Sequence, residues 1–406
     1  MNQAMRYFLL LTALVCPLPS AFAEDKPQGA GPYSTWRNGP PADPAFFPIC
    51  VWLQHPRNAG KFKALGINTY MGLWKGPTES QLAALKKAGM RVICHQNQTG
   101  LKWKNEKTII AWMHGDEPDN AQWDKTLQKY TGAVPLERLM AGYRRMVAAD
   151  PTRPVLVNFG QGVANDKWIG IGMKRSRYPA YMAAADIVSF DVYPVVGVRK
   201  PDGENYLWWV GKGVDRLRTW TKGAKPVWNV VECTRISRPE KKATPGQVRA
   251  MVWMSLIHGS RGICYFVHQF KPRFIEAALL VDEPMCKAVA AINGQIATLA
   301  PVLNSPSIEG VARVASSDAK VPIDVMVKRD AKSLYVFAVG MRNAPARGAF
   351  TIQGLGESAT AEVLGEDRTV SVRGGRFADG FKAYDVHLYR IARGGDGHAT
   401  GGSGTR

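Results

Sequence analysis

The sequence has no long apolar run and few cysteines, and each shortage disfavours a class of protein. Beyond the N-terminal segment, no run reaches the roughly 20 apolar residues that a membrane span needs, so we predict no membrane span. The spacings of the six cysteines match neither a metal site nor a small disulfide-rich fold. We interpret those of the mature chain as small buried hydrophobic residues, although export would permit one disulfide. They are Cys50, Cys94, Cys233, Cys264 and Cys286.

Histidine is also scarce, with seven in the chain, and none is arranged in a His-x-His or His-Glu-x-x-His spacing. Such spacings place two imidazoles on one face for a metal ion, so their absence counts against a metal-dependent barrel hydrolase. That alternative would gather His95, Asp116, Glu117, Asp191, Glu232 and His268 at one site. We therefore expect no metal and no other cofactor.

Acidic residues are outnumbered, 33 to 53 basic ones, which gives a formal net charge of +20. The lysines and arginines are dispersed along the chain, a pattern typical of solvated helix faces. A polyanionic partner such as an anionic glycan is the less favoured alternative. Nucleic acid is less favoured still, because no RNP, zinc-finger or helix-turn-helix pattern accompanies the charge.

The first residues predict export. Residues 1–23 contain Arg6, an apolar stretch and a final Ala21-Phe22-Ala23, which together match a secretory signal peptide. Val15 rather than a small residue precedes Cys16, so a lipoprotein signal fits poorly. We expect a secreted or periplasmic protein.

Residues 24–300 alternate between short β-rich runs and helical segments, the pattern of a parallel sheet. The helical segment that opens at Thr78 has Gln81 three residues later and Gly89 as its stop, which predicts a capping box. Eight strands in this alternation predict an α/β fold, a (β/α)8 TIM barrel with its active site at the strand C-terminal ends. We place the strands at Phe46 to Leu53, Ile67 to Trp74, Met90 to Asn97, Ile109 to Met113, Arg153 to Gly160, Ala185 to Pro194, Pro226 to Thr234 and Gly262 to His268.

The pattern changes at about Pro301. Residues 301–393 form short alternating runs broken by Gly, Asp and Asn, without a helical period, which predicts a small C-terminal antiparallel β-sandwich. Residues 394–406 are rich in Gly, Ser and Thr, so we predict a disordered tail.

Two glutamates stand where barrel strands end. The run Ile109 to Met113 breaks into His114-Gly115-Asp116-Glu117-Pro118, and the Val-rich run from Pro226 ends at Glu232. Paired carboxyl groups suit glycosidic-bond cleavage, which needs a proton donor and a nucleophile or water-activating base. A structural alternative for Glu117 is that its carboxylate lies at a helix N-terminus, where the helix dipole stabilises it. We favour catalysis, since an unpaired acid at the end of a buried strand is costly.

These residues resemble the large clan of retaining glycoside hydrolases built on (β/α)8 barrels. In that clan the acid/base Glu follows strand four and the nucleophile Glu ends strand seven, so the resemblance implies these roles for Glu117 and Glu232. The clan usually has Asn before the acid/base, where this chain has Asp116. That difference leaves open whether Asp116 takes over the binding of the sugar 2-hydroxyl, and it leaves the family unassigned.

Other strand-end residues are candidates for binding a carbohydrate substrate. His95, Asn97 and Asn158 could bind sugar hydroxyls, and the resemblance implies that Tyr193 orients the nucleophile. Trp74 and His268 could stack on sugar rings, although most aromatic residues of a barrel belong to its core. A non-catalytic glycan-binding barrel remains an alternative. The sugar, the linkage, endo or exo action and the oligomeric state stay open.

Overall fold

The computed structural model describes residues 31–197 and 203–393. The signal peptide predicted for residues 1–23 and the tail predicted for residues 394–406 lie outside the described residues. The described part of the chain forms two large structural units.

The first large unit is a closed barrel of parallel strands, as the sequence predicts. The strands follow one another around the barrel in chain order, and β1 pairs with β8 to close it. They are β1 (Ile49–Trp52), β2 (Thr69–Met71), β3 (Arg91–Cys94), β4 (Ile109–Asp116), β5 (Val155–Phe159), β6 (Ile187–Asp191), β7 (Val227–Glu232) and β8 (Gly262–Phe266). Because all run in one direction, the residues that follow each strand meet at one face, which we call the mouth.

The strands alternate between an inner and an outer core. Trp228, Val230 and Cys264 pack together inside the barrel. Their neighbours Val227, Val231 and Ile263 point outwards and pack against the helices. This period of two is the physical basis for predicting which side chains face the barrel axis.

Helices lie on the outside of the barrel and, in the case of the helix that directly follows β6, at its mouth. They are α1 (Ala59–Ala64), α2 (Glu79–Ala88), α3 (Gln98–Lys102), α4 (Leu136–Ala149), α5 (Tyr178–Tyr181), α6 (Pro194–Gly197), α7 (Trp209–Trp220), α8 (Pro245–Ile257) and α9 (Glu283–Asn304). The capping box predicted at Thr78 and Gln81 is present, and Gly89 ends α2 in the left-handed conformation. A short hairpin, Gln122–Asp124 with Lys129–Thr131, rises from the segment after β4.

Helix α9 is long and apolar enough to pass a length-and-composition test for a membrane span. Its buried side chains, among them Met285, Val289, Ile292 and Ile296, belong to the outer core of the barrel. We therefore interpret it as a core helix. It continues through Pro301 to Asn304, slightly past the expected end of the barrel.

The second unit is an eight-stranded antiparallel sheet. Its strands are β9 (Ala312–Ser316), β10 (Ile323–Arg329), β11 (Ser333–Gly340), β12 (Ala346–Ile352), β13 (Ser358–Val363), β14 (Arg368–Arg373), β15 (Arg376–Phe381) and β16 (Val386–Ala392). They lie in the order β9-β12-β15-β14-β13-β16-β11-β10. Residues from both halves of this order share one core, including Val336, Phe350 and Phe377, which fits the predicted sandwich.

The sheet packs on the barrel through α8. The rings of Trp253 on α8 and Phe337 on β11 lie 5.4 Å apart, and Arg249 donates a hydrogen bond to the carbonyl of Val386. His258 bridges Asp215 of α7 and Asp324 of β10. The two units therefore share an apolar and an ionic contact.

The cysteines behave as predicted, except that Cys286 is only half-buried. All five in the described residues are free, and Cys50, Cys94, Cys233 and Cys264 are buried. Burial raises the pKa of each of these thiols, so they pack as small neutral side chains.

Candidate active site

The site begins at an irregularity at the end of β4. The register between β4 and β5 shifts between Met113 and Gly115, and beyond the shift Asp116 pairs with Asn158. Glu117 follows with φ 44°, a left-handed conformation that a side chain with a Cβ adopts rarely. Its N–H donates to the carbonyl of Asn158 at 2.8 Å, which fixes this turn. Backbone strain of this kind clusters at functional sites.

Carboxyl groups from β4 and β6 converge next to this turn. Asn158 donates a hydrogen bond to Asp116 at 3.0 Å and lies 3.4 Å from Asp191. Asn158 is itself held by Ser189, whose hydroxyl donates to the amide oxygen at 2.8 Å. The side chains of Asp191 and Glu117 are hydrogen-bonded to each other. We call Asp116, Glu117 and Asp191 the acid cluster.

The surroundings of the acid cluster favour the protonated forms of Asp191 and Asp116. Burial, followed by the nearby charges of Glu117 and Asp116, raises the pKa of Asp191 well above its ordinary value. The pKa of Asp116 rises to about 6, mainly because surrounding protein atoms displace water from it although its side chain stays exposed at the mouth, and the hydrogen bond from Asn158 opposes this shift. Two carboxyl groups can share a hydrogen bond only if one of them is protonated, and the raised pKa of Asp191 favours its protonated form.

Hydrogen bonds of the Asp119 side chain fix the loop that carries Glu117. This side chain is fully buried and accepts hydrogen bonds from the Gly160 N–H at 2.9 Å and the Tyr178 hydroxyl at 2.7 Å. Asn120 donates a hydrogen bond to the Glu117 carboxylate at 2.9 Å. The position of Glu117 is therefore set by both its backbone and its side chain.

Glu232 ends β7 but is covered. It is fully buried, and its two carboxyl oxygens accept hydrogen bonds from the N–H groups of Val195 at 2.6 Å and Val196 at 3.0 Å. Burial raises the pKa of Glu232 to about 8, and these two hydrogen bonds oppose the shift. Helix α6 thus holds the group that the sequence assigns as nucleophile.

Aromatic side chains line the mouth between β6 and β8. The hydroxyl of Tyr193 donates to Asp191 at 3.3 Å, and its ring packs against Phe266 at 5.2 Å. His268 is buried, lies 3.1 Å from the Gln54 amide, and has its pKa lowered by burial. It is therefore a neutral ring that stacks on Phe274 at 6.0 Å.

The remaining predicted residues have their contacts outside the acid cluster. His95 contacts the carbonyl of Met113 at 3.2 Å, and Trp74 stands largely exposed in the segment after β2. Asn97 caps α3: its oxygen accepts from Gly100 N–H and its amide donates to the Pro77 carbonyl. Both polar groups of Asn97 thus already have protein partners.

Three residues near Glu117 are absent from the set of binding and catalytic residues predicted from the sequence. Asp191 lies two residues before Tyr193, so the period of two in a strand indicates from the sequence that both side chains lie on one face. Asp119 and Asn120 follow Pro118 in a loop without periodicity, and no pattern indicated their contacts. In the described residues, no group of three or more His, Cys, Asp or Glu side chains could hold a metal ion.

No protein-family model matches the chain, and no curated protein matches its sequence. Solved structures do match its fold. Gan42B, a GH42 beta-galactosidase from G. stearothermophilus, aligns with a TM-score of 0.56 and 9% identity over 86% of this chain and 98% of that one.

A second match is AmyP, solved in complex with maltose. It aligns with a TM-score of 0.51 and 9% identity, over 86% of this chain and 96% of that one. At such identities the likeness concerns the fold. The chain is a (β/α)8-barrel protein with a C-terminal antiparallel sheet, and the solved structures that share its fold include a GH42 beta-galactosidase.

Proposed function

We propose that the chain is a secreted glycoside hydrolase that cleaves O-glycosidic bonds of a poly- or oligosaccharide by a retaining double displacement. The observation that carries the proposal is the strained, doubly anchored Glu117 within the acid cluster at the barrel mouth. The solved neighbours, a beta-galactosidase and an AmyP in complex with maltose, support a carbohydrate substrate.

In this proposal Glu117 is the proton donor. Glu117 is half-buried at the mouth, where the oxygen of a leaving sugar can approach it. Asn120 and the hydrogen bond with Asp191 orient it, and a proton held within the acid cluster can pass to the leaving oxygen. Asp116, next to it and hydrogen-bonded to Asn158, takes a sugar-hydroxyl-binding role.

Glu232 is the proposed nucleophile, by its place at the end of β7. Attack requires an ionised and accessible carboxylate, whereas in this conformation Glu232 is buried and its pKa is about 8. The proposal therefore requires that α6 release the two oxygens when substrate binds. Retention also needs the two catalytic carboxyl groups about 5 Å apart.

Asp191 is a second candidate for the nucleophile. Its direct contact with the side chain of Glu117 favours it, because no movement of α6 is then needed. Against it stands the raised pKa of Asp191, which keeps the group protonated until a substrate alters its surroundings. Substitution of each acid separates the two assignments.

The experiment is a hydrolysis screen with aryl glycosides and soluble polysaccharides, using the wild type and Glu117→Gln. The chain offers a matched control in Glu283→Gln, since Asp282-Glu283-Pro284 repeats the letters around Glu117 but Glu283 is exposed and paired with Lys287. We expect Glu117→Gln to lower kcat/KM by about 10² to 10⁴ on polymers. The control should match the wild type, and equal activity in both variants would contradict the proposal.

The same screen addresses two competing functions. A non-catalytic glycan-binding barrel would bind polysaccharide without releasing reducing ends. A metal-dependent hydrolase would lose activity with a chelator and regain it with a divalent ion, a behaviour that the glycosidase mechanism does not predict. Export is part of the proposal, and fractionation with N-terminal sequencing of the mature protein tests it.

A further inference from the structure

The exposed large hydrophobic side chains of the described residues all lie on one face. They are Trp74, Trp123, Leu127, Tyr130, Ile171, Phe270, Phe274 and Val281. Each follows a barrel strand and precedes the next helix of the barrel wall, so each belongs to the mouth. In the described residues, neither the outer helices nor the C-terminal sheet carry such side chains. Exposed apolar groups gathered on one face mark a binding surface.

The aromatic members form two preassembled groups. In the hairpin after β4, Trp123 and Tyr130 are cross-strand partners whose rings lie 5.1 Å apart. In the segment after β8, Phe270 and Phe274 lie 5.7 Å apart, and Phe274 stacks on His268. We call these the hairpin platform and the β8 platform.

The two platforms lie on opposite sides of the barrel mouth. The strands follow one another in order around a closed eight-stranded barrel, so β4 and β8 are diametrically opposed. The acid cluster lies at the same mouth, since Glu117 follows β4 and Asp191 ends β6. A ligand that touches both platforms therefore crosses the mouth that holds the acid cluster.

We propose that the mouth binds an extended polysaccharide chain, with sugar rings stacked on both platforms and the cleaved bond in the interior of the chain. The inference rests on the proposed function and adds the substrate class and an endo mode of action. Sugar rings present an apolar C–H face that suits flat aromatic rings, and a linear polymer is long enough to reach both sides. A single terminal sugar would occupy one platform only.

The test uses Trp123→Ala and Phe274→Ala, one from each platform, in the full chain carrying Glu117→Gln so that polymers stay intact. Thr351→Ala and Ser371→Ala are the controls, since they remove exposed side chains from the C-terminal sheet, away from the mouth. Binding is measured by affinity electrophoresis in gels that contain β-1,4-galactan, arabinoxylan, amylose or laminarin.

We expect at least one polymer to retard the Glu117→Gln protein, and each ring substitution to weaken the apparent Kd by about fivefold to tenfold. The two controls should bind like the parent. Equal binding by ring variants and controls, or no retardation by any of the four polymers, overturns the inference. So does sedimentation showing a dimer that the ring substitutions dissociate, because the surface would then bind a second copy of the chain.

Endo action is measured in the active protein by comparing the fall in viscosity with the release of reducing ends. A fast fall in viscosity at low release supports the inference, and a slow fall contradicts it. A failure of this inference can be distinguished from a failure of the proposed function. Polymer binding that needs both platforms without any hydrolysis would refute only the hydrolase, and hydrolysis that is indifferent to both platforms would refute only the inference.

Discussion

At the scale of single residues, Gly160 determines how closely β5 approaches the proposed proton donor. A Cβ at this position would lie 2.9 Å from Oε1 of Glu117. The backbone of Gly160 has φ −80°, which alanine adopts without strain, so a substitution acts through the contact alone. The absence of a side chain at Gly160 therefore leaves room for the Glu117 carboxylate in its present orientation.

We predict that Gly160→Ala lowers kcat by about tenfold, because the Glu117 carboxylate is displaced from its position by a fraction of an ångström or more. The melting temperature should change little, since the displaced group is the end of a flexible side chain. Gly115→Ala is the control, because a Cβ at that position, near the same strand end, would meet nothing within 4 Å. Steady-state kinetics and thermal melting of both variants check this, and a stable Gly160→Ala enzyme with wild-type kcat would contradict it.

At the scale of elements, the contact between β7 and α6 makes stability depend on pH. The pKa of Glu232 rises from its ordinary 4.5 to about 8 in the folded protein. The folded state therefore binds this proton more tightly than the unfolded state. Its contribution is complete below about pH 4.5 and is lost as pH rises through about 8.

We predict that the free energy of unfolding of the wild type declines between about pH 5 and 8 more steeply than that of Glu232→Gln, which cannot titrate. Other acids with raised pKa values contribute equally to both proteins and cancel in the difference. Denaturant titrations at several pH values measure the two slopes, with Glu283→Gln as the exposed control. Parallel slopes in wild type and Glu232→Gln would show that Glu232 is ionised in the folded state.

The elements also show how far the sequence predicts this molecule. The positions of the barrel strands and the capping box at Thr78 follow from local periodicity and side-chain chemistry, and both are present. The hairpin of Gln122–Asp124 with Lys129–Thr131 and the strands β9 and β15 were not predicted, because short strands with polar or Gly positions carry no clear period.

For the site, the strand-end positions of Asp116, Glu117, Asn158 and Tyr193 followed from the alternation of the barrel. The covering of Glu232 by α6 did not, because it depends on how the segment after β6 folds back over β7. Contacts between segments distant in sequence leave no local periodicity. The roles of Glu117 and Glu232 in catalysis stay predictions until the variants are measured.

At the scale of the whole molecule, the C-terminal sheet completes the outer core of the barrel. Phe337 on β11 is fully buried and packs against Trp253 of α8, and Val339 and Leu388 belong to the same cluster. Removal of this sheet would expose one face of α8. The two units should therefore unfold together.

We predict that Phe337→Ala destabilises the protein by about 3 to 5 kcal/mol, the cost of a cavity left by a buried phenylalanine. Calorimetry should show one transition at a lower temperature for the variant. The exposed Phe274→Ala is the control and should melt like the wild type. A separate transition for an unaffected barrel would show that the sheet does not contribute to barrel stability.

His258 adds an ionic part to the same contact. Burial would lower the pKa of His258, but hydrogen bonds and ion pairs with Asp215 and Asp324 outweigh burial and raise it to about 9. His258 is therefore protonated at neutral pH. The stabilising contribution of its ion pairs with Asp215 and Asp324 is lost as pH rises through about 9.

Azide rescue tests most directly whether Glu117 donates the proton in a retaining glycosidase. Glu117→Ala, given an activated aryl glycoside found in the screen, should still form the glycosyl-enzyme, because a good leaving group needs no proton. Azide should then accelerate turnover and give a glycosyl azide of retained configuration, identified by NMR. Absence of rescue, or a product of inverted configuration, would contradict the role of Glu117.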